Sequence, residues 1–267
     1  GLPPWLGAVT VSRALALVGI GTISGFFSGL FGIGGGLIIV PALVVLLKLD
    51  HKRAVATSLL AIMPAVTVSL IAYAVQGSVL WGVGVLLAVG AVAGAQLGAW
   101  LLRRISRRLA QWIFVGFVAV MVVQLLIVIP SRDAVFVLDW LNGAGLLVLG
   151  LVAGALSSLL GIGGGGVAVP IMMVWFGLGD LAAKGAALVM MLPGVGSGLY
   201  SNLRRHMVNI RAGVIIGLGA VLTGPLGAWV AHLISPQLAA WLFAAFLAFI
   251  GISMAREALR PPAPAGP

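Results

Sequence analysis

The sequence predicts an all-α polytopic membrane protein made of two inverted repeats, each with about five helical segments. Three observations predict this fold: a strongly apolar composition, a glycine motif that occurs twice at a fixed distance, and basic residues that change position between the halves. Apolar residues make up 62% of the 267 residues and charged residues 7%, whereas a soluble domain is about one quarter charged. The chain is therefore expected to lie in a lipid bilayer.

Apolar runs define the helical segments of each half. In the first half they cover about residues 8–33, 37–47, 54–75, 79–102 and 109–129, and in the second about 141–162, 167–178, 182–200, 208–231 and 238–255. The second run of each half is too short to cross ~30 Å of hydrocarbon at 1.5 Å per residue. Strand-like alternation is not evident, so helices are predicted and not a membrane barrel. The predicted divisions are a first repeat at 8–129, a linker at 130–140, a second repeat at 141–256 and a disordered tail at 257–267.

The glycine motif runs from Gly32 to Gly36 as Gly-Ile-Gly-Gly-Gly and returns unchanged from Gly161 to Gly165. The same offset, from position 32 to position 161, carries Pro64 onto Pro193 without a gap. A fixed offset across most of the chain indicates a tandem duplication.

The basic residues predict that the second repeat is inverted, because lysine and arginine accumulate on the cytoplasmic side of a membrane. With five segments per half and the N-terminus inside, all 15 Lys and Arg residues except Arg132 and Lys184 fall inside. The arginine-rich gap at 103–108 corresponds to a nearly neutral gap at 231–237, so the charge changes sides. Only an odd number of crossings per repeat gives this change. The net charge of +10 therefore indicates topology and lipid headgroup contact, and no nucleic acid partner is predicted.

Consecutive glycines inside an apolar run break a helix and expose backbone N–H and C=O groups. The short segments that follow are predicted to be half-helices, whose N-termini carry roughly +0.5 of a charge and bind anions. Inversion brings the two turns together near the membrane midplane, where transporters of this design bind their substrate. The alternative is that Gly32 and Gly36, like Gly25 and Gly29, are small packing surfaces. A dinucleotide or phosphate loop is not favoured, since neither copy has the required spacing.

The chain resembles the TauE/SafE sulfite and organosulfonate exporters, also called the toluene-sulfonate uptake permease group. The resemblance rests on the two glycine motifs, on the Val-Pro pairs that follow them at 40–41 and 169–170, and on the segment 54–58, Ala-Val-Ala-Thr-Ser. It implies a secondary transporter, an exporter, of small sulfur-containing anions in a bacterial inner membrane. An anion channel or an uptake permease for a small organic acid remains the alternative. Thr57 and Ser58 correspond to alanines in the second half, so the resemblance implies an asymmetric site weighted toward the first-half hydroxyls.

The predicted substrate-binding residues combine the glycine turns with nearby hydroxyl groups. They are Ser28, Gly34, Gly35, Gly36, Thr57, Ser58, Ser157, Gly163, Gly164 and Gly165. For Ser28 and Ser157 a hydrogen bond to their own helix is an equal alternative. No metal or cofactor is predicted, because the histidines lack ligand spacing and cysteine is absent. The scattered acids also give no support to an enzyme.

Other polar residues receive topological interpretations. Tyr73 and Tyr200 are expected in an interfacial aromatic belt. Lys184 is expected on the outside, where it either snorkels or attracts an anion. Arg204, Arg205 and Arg211 are explained by the positive-inside pattern, with a cytoplasmic anion funnel as the alternative. The number of subunits is left open.

Overall fold

The structure, a computed structural model, describes residues 11–101, 107–127, 136–161 and 163–259, and the regular elements in these ranges are helices. The helices are α1 Val11–Phe31, α2 Gly36–Leu47, α3 His51–Val75, α4 Trp81–Leu101, α5 Arg107–Ile127, α6 Trp140–Leu160, α7 Gly165–Val174, α8 Asp180–Arg204, α9 Ile210–Leu233 and α10 Pro236–Leu259. Within the described part, seven are long and apolar enough to cross a membrane. The predicted all-α polytopic membrane fold is confirmed.

The helix starts follow the spacing of the sequence repeat. The first five helices start at positions 11, 36, 51, 81 and 107, and the next five at 140, 165, 180, 210 and 236. Every start in the second half therefore lies at the same distance from its counterpart as the two glycine motifs do. The opposite membrane orientation of the halves stays a prediction. Of the predicted linker, residues 130–135 lie outside the described residues, as do residues 260–267 of the predicted tail, while α10 continues to Leu259.

Packing joins helices of different halves, and each pairing has a counterpart. Helix α1 packs against α9 as α6 packs against α4, and α3 packs against α9 as α8 packs against α4. Glycines allow these crossings, since a β-carbon at Gly25 would lie 2.5 Å from Cα of Ala220, and one at Gly154 would lie 2.7 Å from Cα of Ala91. Small residues are how membrane helices approach closely. The packing role expected for Gly25 is therefore present in both halves.

The two short helices are too short to span the bundle, and both begin in its interior. Helix α2 has 12 residues and α7 has 10, which correspond to about 18 Å and about 15 Å. Nine of the ten α7 residues are buried. Helix α2 packs against α3 and α7 packs against α8. Each half-helix therefore starts in the interior, directly after its glycine turn.

Candidate functional site

The glycine turns have the same backbone conformation in both halves. Gly34 and Gly35 have φ of 75° and 76°, and Gly163 and Gly164 have φ of 79° and 81°. This left-handed region is open to glycine at no steric cost, which explains why the turns require it. Helix α2 begins immediately after Gly35, and α7 begins immediately after Gly164.

Neither half-helix has a side-chain cap at its N-terminus. The N-cap residues are Gly35 and Gly164, and their carbonyl oxygens accept the first intrahelical bonds, from Ile38 at 3.0 Å and from Val167 at 3.1 Å. The N–H groups that precede these donors have no intrahelical acceptor, as in any helix start. Each turn thus presents backbone donors at the positive end of a helix dipole. This arrangement suits an anion.

The two turns meet in the interior of the protein. A β-carbon at Gly165 would overlap the carbonyl oxygen of Gly32, and one at Gly163 would lie 3.4 Å from the carbonyl oxygen of Ile33. The Met191 side chain lies between them, because its terminal methyl group would overlap a β-carbon at either Gly34 or Gly163. The glycines of both turns are buried. The prediction that the N-termini of the half-helices converge agrees with these contacts.

Counterpart helices flank the turns at corresponding positions. Gly32 lies against α8, where a β-carbon would be 2.9 Å from Cα and Cβ of Lys184, and Gly161 lies against α3, 2.9 Å from both methyl carbons of Val55. Position 55 is the counterpart of position 184. Counterpart positions thus hold a charged residue, which meets Gly32 with its backbone and Cβ, and an apolar residue, which meets Gly161 with its methyl groups.

The predicted hydroxyl groups occupy different surroundings. Ser58 Oγ donates to the Val55 carbonyl oxygen at 2.8 Å and lies 3.4 Å from the Gly161 carbonyl oxygen, so Ser58 touches the second turn. Thr57 Oγ1 instead accepts from the Asn209 N–H at 3.0 Å, beside the connection that leads into α9. Thr57 is therefore bonded to the connection between α8 and α9, whereas Ser58 is bonded to a glycine turn.

Ser28 and Ser157 lie at counterpart positions near the ends of α1 and α6. Their carbonyl oxygens accept from Gly32 and Gly161, at 2.8 Å and 2.7 Å. The Ser28 side chain is fully buried, and its Oγ makes no hydrogen bond. A buried hydroxyl without a partner is unusual and costs free energy. Among the described residues, Ser69 Oγ is buried without a hydrogen-bond partner in the same way.

Two topological expectations for individual residues are wrong. Lys184 is 1% exposed and pairs with Asp180, which is 0% exposed, at 3.5 Å between Nζ and Oδ2. It is therefore neither a snorkelling lysine nor a residue of an outer mouth. Tyr73 is also fully buried, and its hydroxyl donates to the Gly29 carbonyl oxygen at 2.9 Å instead of lying in an aromatic belt. Tyr200 is 59% exposed, as a belt residue would be.

A separate polar cavity of about 310 Å³ lies at the end of α8. Its lining residues are Gln96, Ser197, Tyr200, Ser201, Arg204 and Arg205. The Arg204 guanidinium lies 4.8 Å from the centre of the Tyr200 ring, a cation–π contact. Within the described residues, no group of three or more His, Cys, Asp or Glu side chains is placed to hold a metal ion.

Sequence reasoning missed Met191, Ser24 and the Asp180–Lys184 pair as neighbours of the turns. A β-carbon at Gly35 would lie 2.7 Å from the Ser24 carbonyl oxygen. The i, i+4 spacing of Asp180 and Lys184 was a usable signal for the ion pair. The burial of this ion pair could not be predicted from the sequence, because it depends on helices that are distant in the sequence.

The fold and the paired half-helices define a polytopic membrane transporter. The Sulfite exporter TauE/SafE family matches residues 4–125 and 146–267, and the chain belongs to that family. A probable membrane transporter protein of Haemophilus influenzae is 31% identical over 57% of this chain and 60% of its own length. The probable membrane transporter protein YunE of Bacillus subtilis is 25% identical over 91% of this chain and 97% of its own length. No solved structure gives a significant match.

Proposed function

We propose that this protein exports a small sulfur-containing anion, such as sulfite or an organosulfonate, and binds it between the two glycine turns. The observation that carries the proposal is that the starts of the two half-helices lie together, with Gly165 against Gly32 and Gly166 against Leu37, and that neither has a side-chain cap. Each N-terminus contributes roughly +0.5 of a charge and free N–H donors. Two such ends facing one point favour an anion without a metal or an arginine.

The chemistry of the substrate fits these donors. A sulfite or sulfonate group carries several oxygen atoms that accept hydrogen bonds, and donors from two directions can bind different oxygens. The unpartnered Ser28 hydroxyl supplies a further donor beside the first turn. Hydrogen bonds to a charged acceptor are the stronger ones, at about 1.5–3 kcal/mol each.

The contact between the turns supports a carrier and not a permanently open channel. The glycines are buried, and Met191 fills the space between Gly34 and Gly163. An anion reaches this point only if the turns or Met191 move. Alternating exposure of a central site is the usual behaviour of transporters with repeated halves.

The membrane potential is the proposed driving force. Coupled carriers place carboxylates in the membrane interior. Among the described residues Asp180 is such a buried carboxylate, but it lies in the first turn of α8 and is already paired with Lys184. An interior-negative potential favours anion exit by about 2.3 kcal/mol per charge per 100 mV. The test is sulfite and methanesulfonate flux in proteoliposomes under a K⁺/valinomycin potential, with and without pH or Na⁺ gradients. Flux that follows the potential alone is expected, and flux that follows only a proton or Na⁺ gradient contradicts the proposed mechanism.

The proposed orientation has both termini in the cytoplasm of a bacterial cell, with the protein in the inner membrane. Single cysteines in the 103–108 connection and near Arg204–Arg211 are then labelled from the same side, although these regions occupy different positions in their repeats. The chain has no native cysteine, so no background labelling interferes. Labelling from opposite sides would contradict the inverted repeat.

A further inference from the structure

A buried ion pair lies in the first turns of α8. Lys184 is 1% exposed and Asp180 is 0% exposed, and Nζ lies 3.5 Å from Oδ2. Removing two charges from water costs free energy, so a buried ion pair contributes little to stability. Replacing such a pair by apolar residues of similar volume often leaves the stability unchanged or raises it. An ionisable residue inside a membrane protein instead marks a substrate or ion pathway by default.

The pair is next to the candidate anion site. Gly32 of the first turn lies directly against the Lys184 backbone, with 2.9 Å between its β-carbon position and Lys184 Cα. Gly32 in turn contacts Gly165 at the start of α7. The Lys184 backbone therefore packs against the first turn, and this turn contacts the start of α7. A cation close to a helix N-terminus adds to its positive field.

Lys184 also lies between this junction and a partly exposed polar connection. Gly185, the next residue, packs against the Ser78 carbonyl oxygen in the segment that joins α3 to α4. Ser78 is partly exposed, and its hydroxyl lies 2.9 Å from Nε2 of His232. The residue after Lys184 thus packs against a connection that is partly exposed.

Packing of the glycine turn does not require this charge. Lys184 meets Gly32 with its backbone and Cβ atoms, and its counterpart Val55 meets Gly161 with its methyl groups. The duplicated backbone therefore accepts an apolar side chain at this position. The charge is a property of one half only.

We propose that Lys184 is an anion-binding residue of the transport site, and that the substrate oxyanion displaces the Asp180 carboxylate from its ammonium group. The inference rests on the proposed function. A distance of 3.5 Å is longer than the 2.7–2.9 Å of a tight charge-assisted hydrogen bond, so an oxyanion that approaches more closely competes well. An ammonium is a compact point charge and accepts sulfite and organosulfonates alike.

The proposal is tested on the full chain with Lys184→Met, Asp180→Asn and the double variant, compared with Lys52→Met. Lys52 is an exposed lysine in the first turn of α3, the counterpart of α8, and serves as the matched control. The measurements are KM for sulfite in proteoliposomes and the rise in melting temperature that sulfite causes in detergent. Losing a hydrogen bond to a charged group changes affinity by roughly tenfold to a hundredfold.

We expect Lys184→Met and the double variant to raise KM by at least about tenfold and to lose the thermal shift, while Lys52→Met behaves as the wild type. Asp180→Asn is expected to lower KM several-fold, because it removes the competing carboxylate. The double variant removes both charges of the pair, so its effect does not include the cost of leaving one of these two charges without the other. A double variant that folds and keeps the wild-type KM overturns the proposal.

Folding failure leaves the test intact. If both Met variants fail to fold, Asp180→Asn decides alone, since an unchanged or raised KM contradicts competition at Lys184. If the wild type transports neither sulfite nor methanesulfonate, the proposed function fails. The sulfite-induced thermal shift and its loss in the double variant then still decide whether Lys184 binds the oxyanion.

Discussion

The two glycine turns share a backbone but differ in the side chains around them. The φ angles of the paired glycines differ by only a few degrees between the halves. Yet Gly35 lies against Ser24 where Gly164 lies against Ala153, and Gly161 lies against Val55 where Gly32 lies against Lys184. The backbone donors are thus present twice, while Ser24 and Lys184 have the apolar counterparts Ala153 and Val55.

This difference separates two contributions to a transport site. Backbone conformation positions the helix N-termini in both halves, and it depends on glycines that tolerate few substitutions. Side chains can differ between halves without disturbing the turns, as Val55 and Lys184 do. Asymmetry in charge and hydroxyl groups therefore gives the two sides of a duplicated site different affinities for the substrate.

The largest expected effect comes from the crossings that hold the halves together. Gly25→Leu and Gly154→Leu are each expected to remove the folded protein, since their side chains would enter the backbones of α9 and α4. The cost is upwards of about 3 kcal/mol. Yield of a monodisperse peak in size-exclusion chromatography measures it. Gly19→Leu is the control, because no atom lies within 4 Å of a β-carbon there. If only one of the two variants gives a normal yield, the two helix crossings are not equivalent.

Met191→Ala comes next, because Met191 touches both turns. Its removal leaves a cavity where they meet, with an expected cost of about 2–5 kcal/mol and an anion leak through the protein. Ile62, its counterpart, is equally buried but lies near Gly34 alone, 3.1 Å from that β-carbon position. Ile62→Ala is therefore expected to lower stability without a leak. Fluorescence-detected anion efflux from proteoliposomes distinguishes them, and equal leaks contradict the special role of Met191.

Alanine at the turn glycines gives an intermediate effect. Left-handed φ costs a non-glycine residue about 1–2 kcal/mol, and Gly77→Ala and Gly177→Ala report this strain alone, because both have positive φ and open surroundings. In Gly35→Ala the new β-carbon would also lie 2.7 Å from the Ser24 carbonyl oxygen. In Gly164→Ala the corresponding distance, to the Ala153 carbonyl oxygen, is 3.0 Å. The expected order of destabilisation is Gly35→Ala, then Gly164→Ala, then the two controls. Melting temperatures in detergent measure the order, and its reversal contradicts the described packing.

The smallest expected effect comes from removing the Ser58 hydroxyl group, whose counterpart position holds Ala187. Ser58→Ala removes the hydrogen bond to Val55 and the contact with Gly161, at about 1 kcal/mol, or roughly 2–4 °C in melting temperature. Ala187→Ser places a hydroxyl at the counterpart position, which is also fully buried. A change in KM in either variant shows that the hydroxyl reaches the substrate. Thr67→Ala, an exposed hydroxyl bonded within α3, is the control.

Much of the fold was predictable because it follows from local properties of the chain. The length of apolar runs predicts spans, and consecutive glycines predict the breaks before α2 and α7. The repeat offset predicts where the second set of helices starts. The short apolar runs that predict the half-helices begin at positions 37 and 167, one and two residues after the observed starts at Gly36 and Gly165.

The surroundings of individual polar residues were less predictable. Lys184 and Tyr73 lie near helix ends, where sequence favours lipid headgroups, yet both are buried. The reason lies in distant contacts, since Tyr73 bonds to Gly29 and Lys184 supports Gly32. Thr57 and Ser58 are adjacent in sequence but face Asn209 and Gly161 respectively. Side chains at neighbouring helical positions point in different directions, so two adjacent residues of one motif contact different parts of the protein.

The sequence by itself determined the membrane environment, the helical segments, the duplication and the two glycine turns, because these depend on composition and on conformational preferences of a few neighbouring residues. Only the tertiary structure decided which helices cross between halves, that Met191 lies between the turns, and that a lysine and an aspartate are paired in the interior. These features depend on which surfaces meet. Helix association in a membrane is governed by close packing of small residues, and that packing joins residues distant in the sequence, such as Gly25 with Ala220 and Ala91 with Gly154.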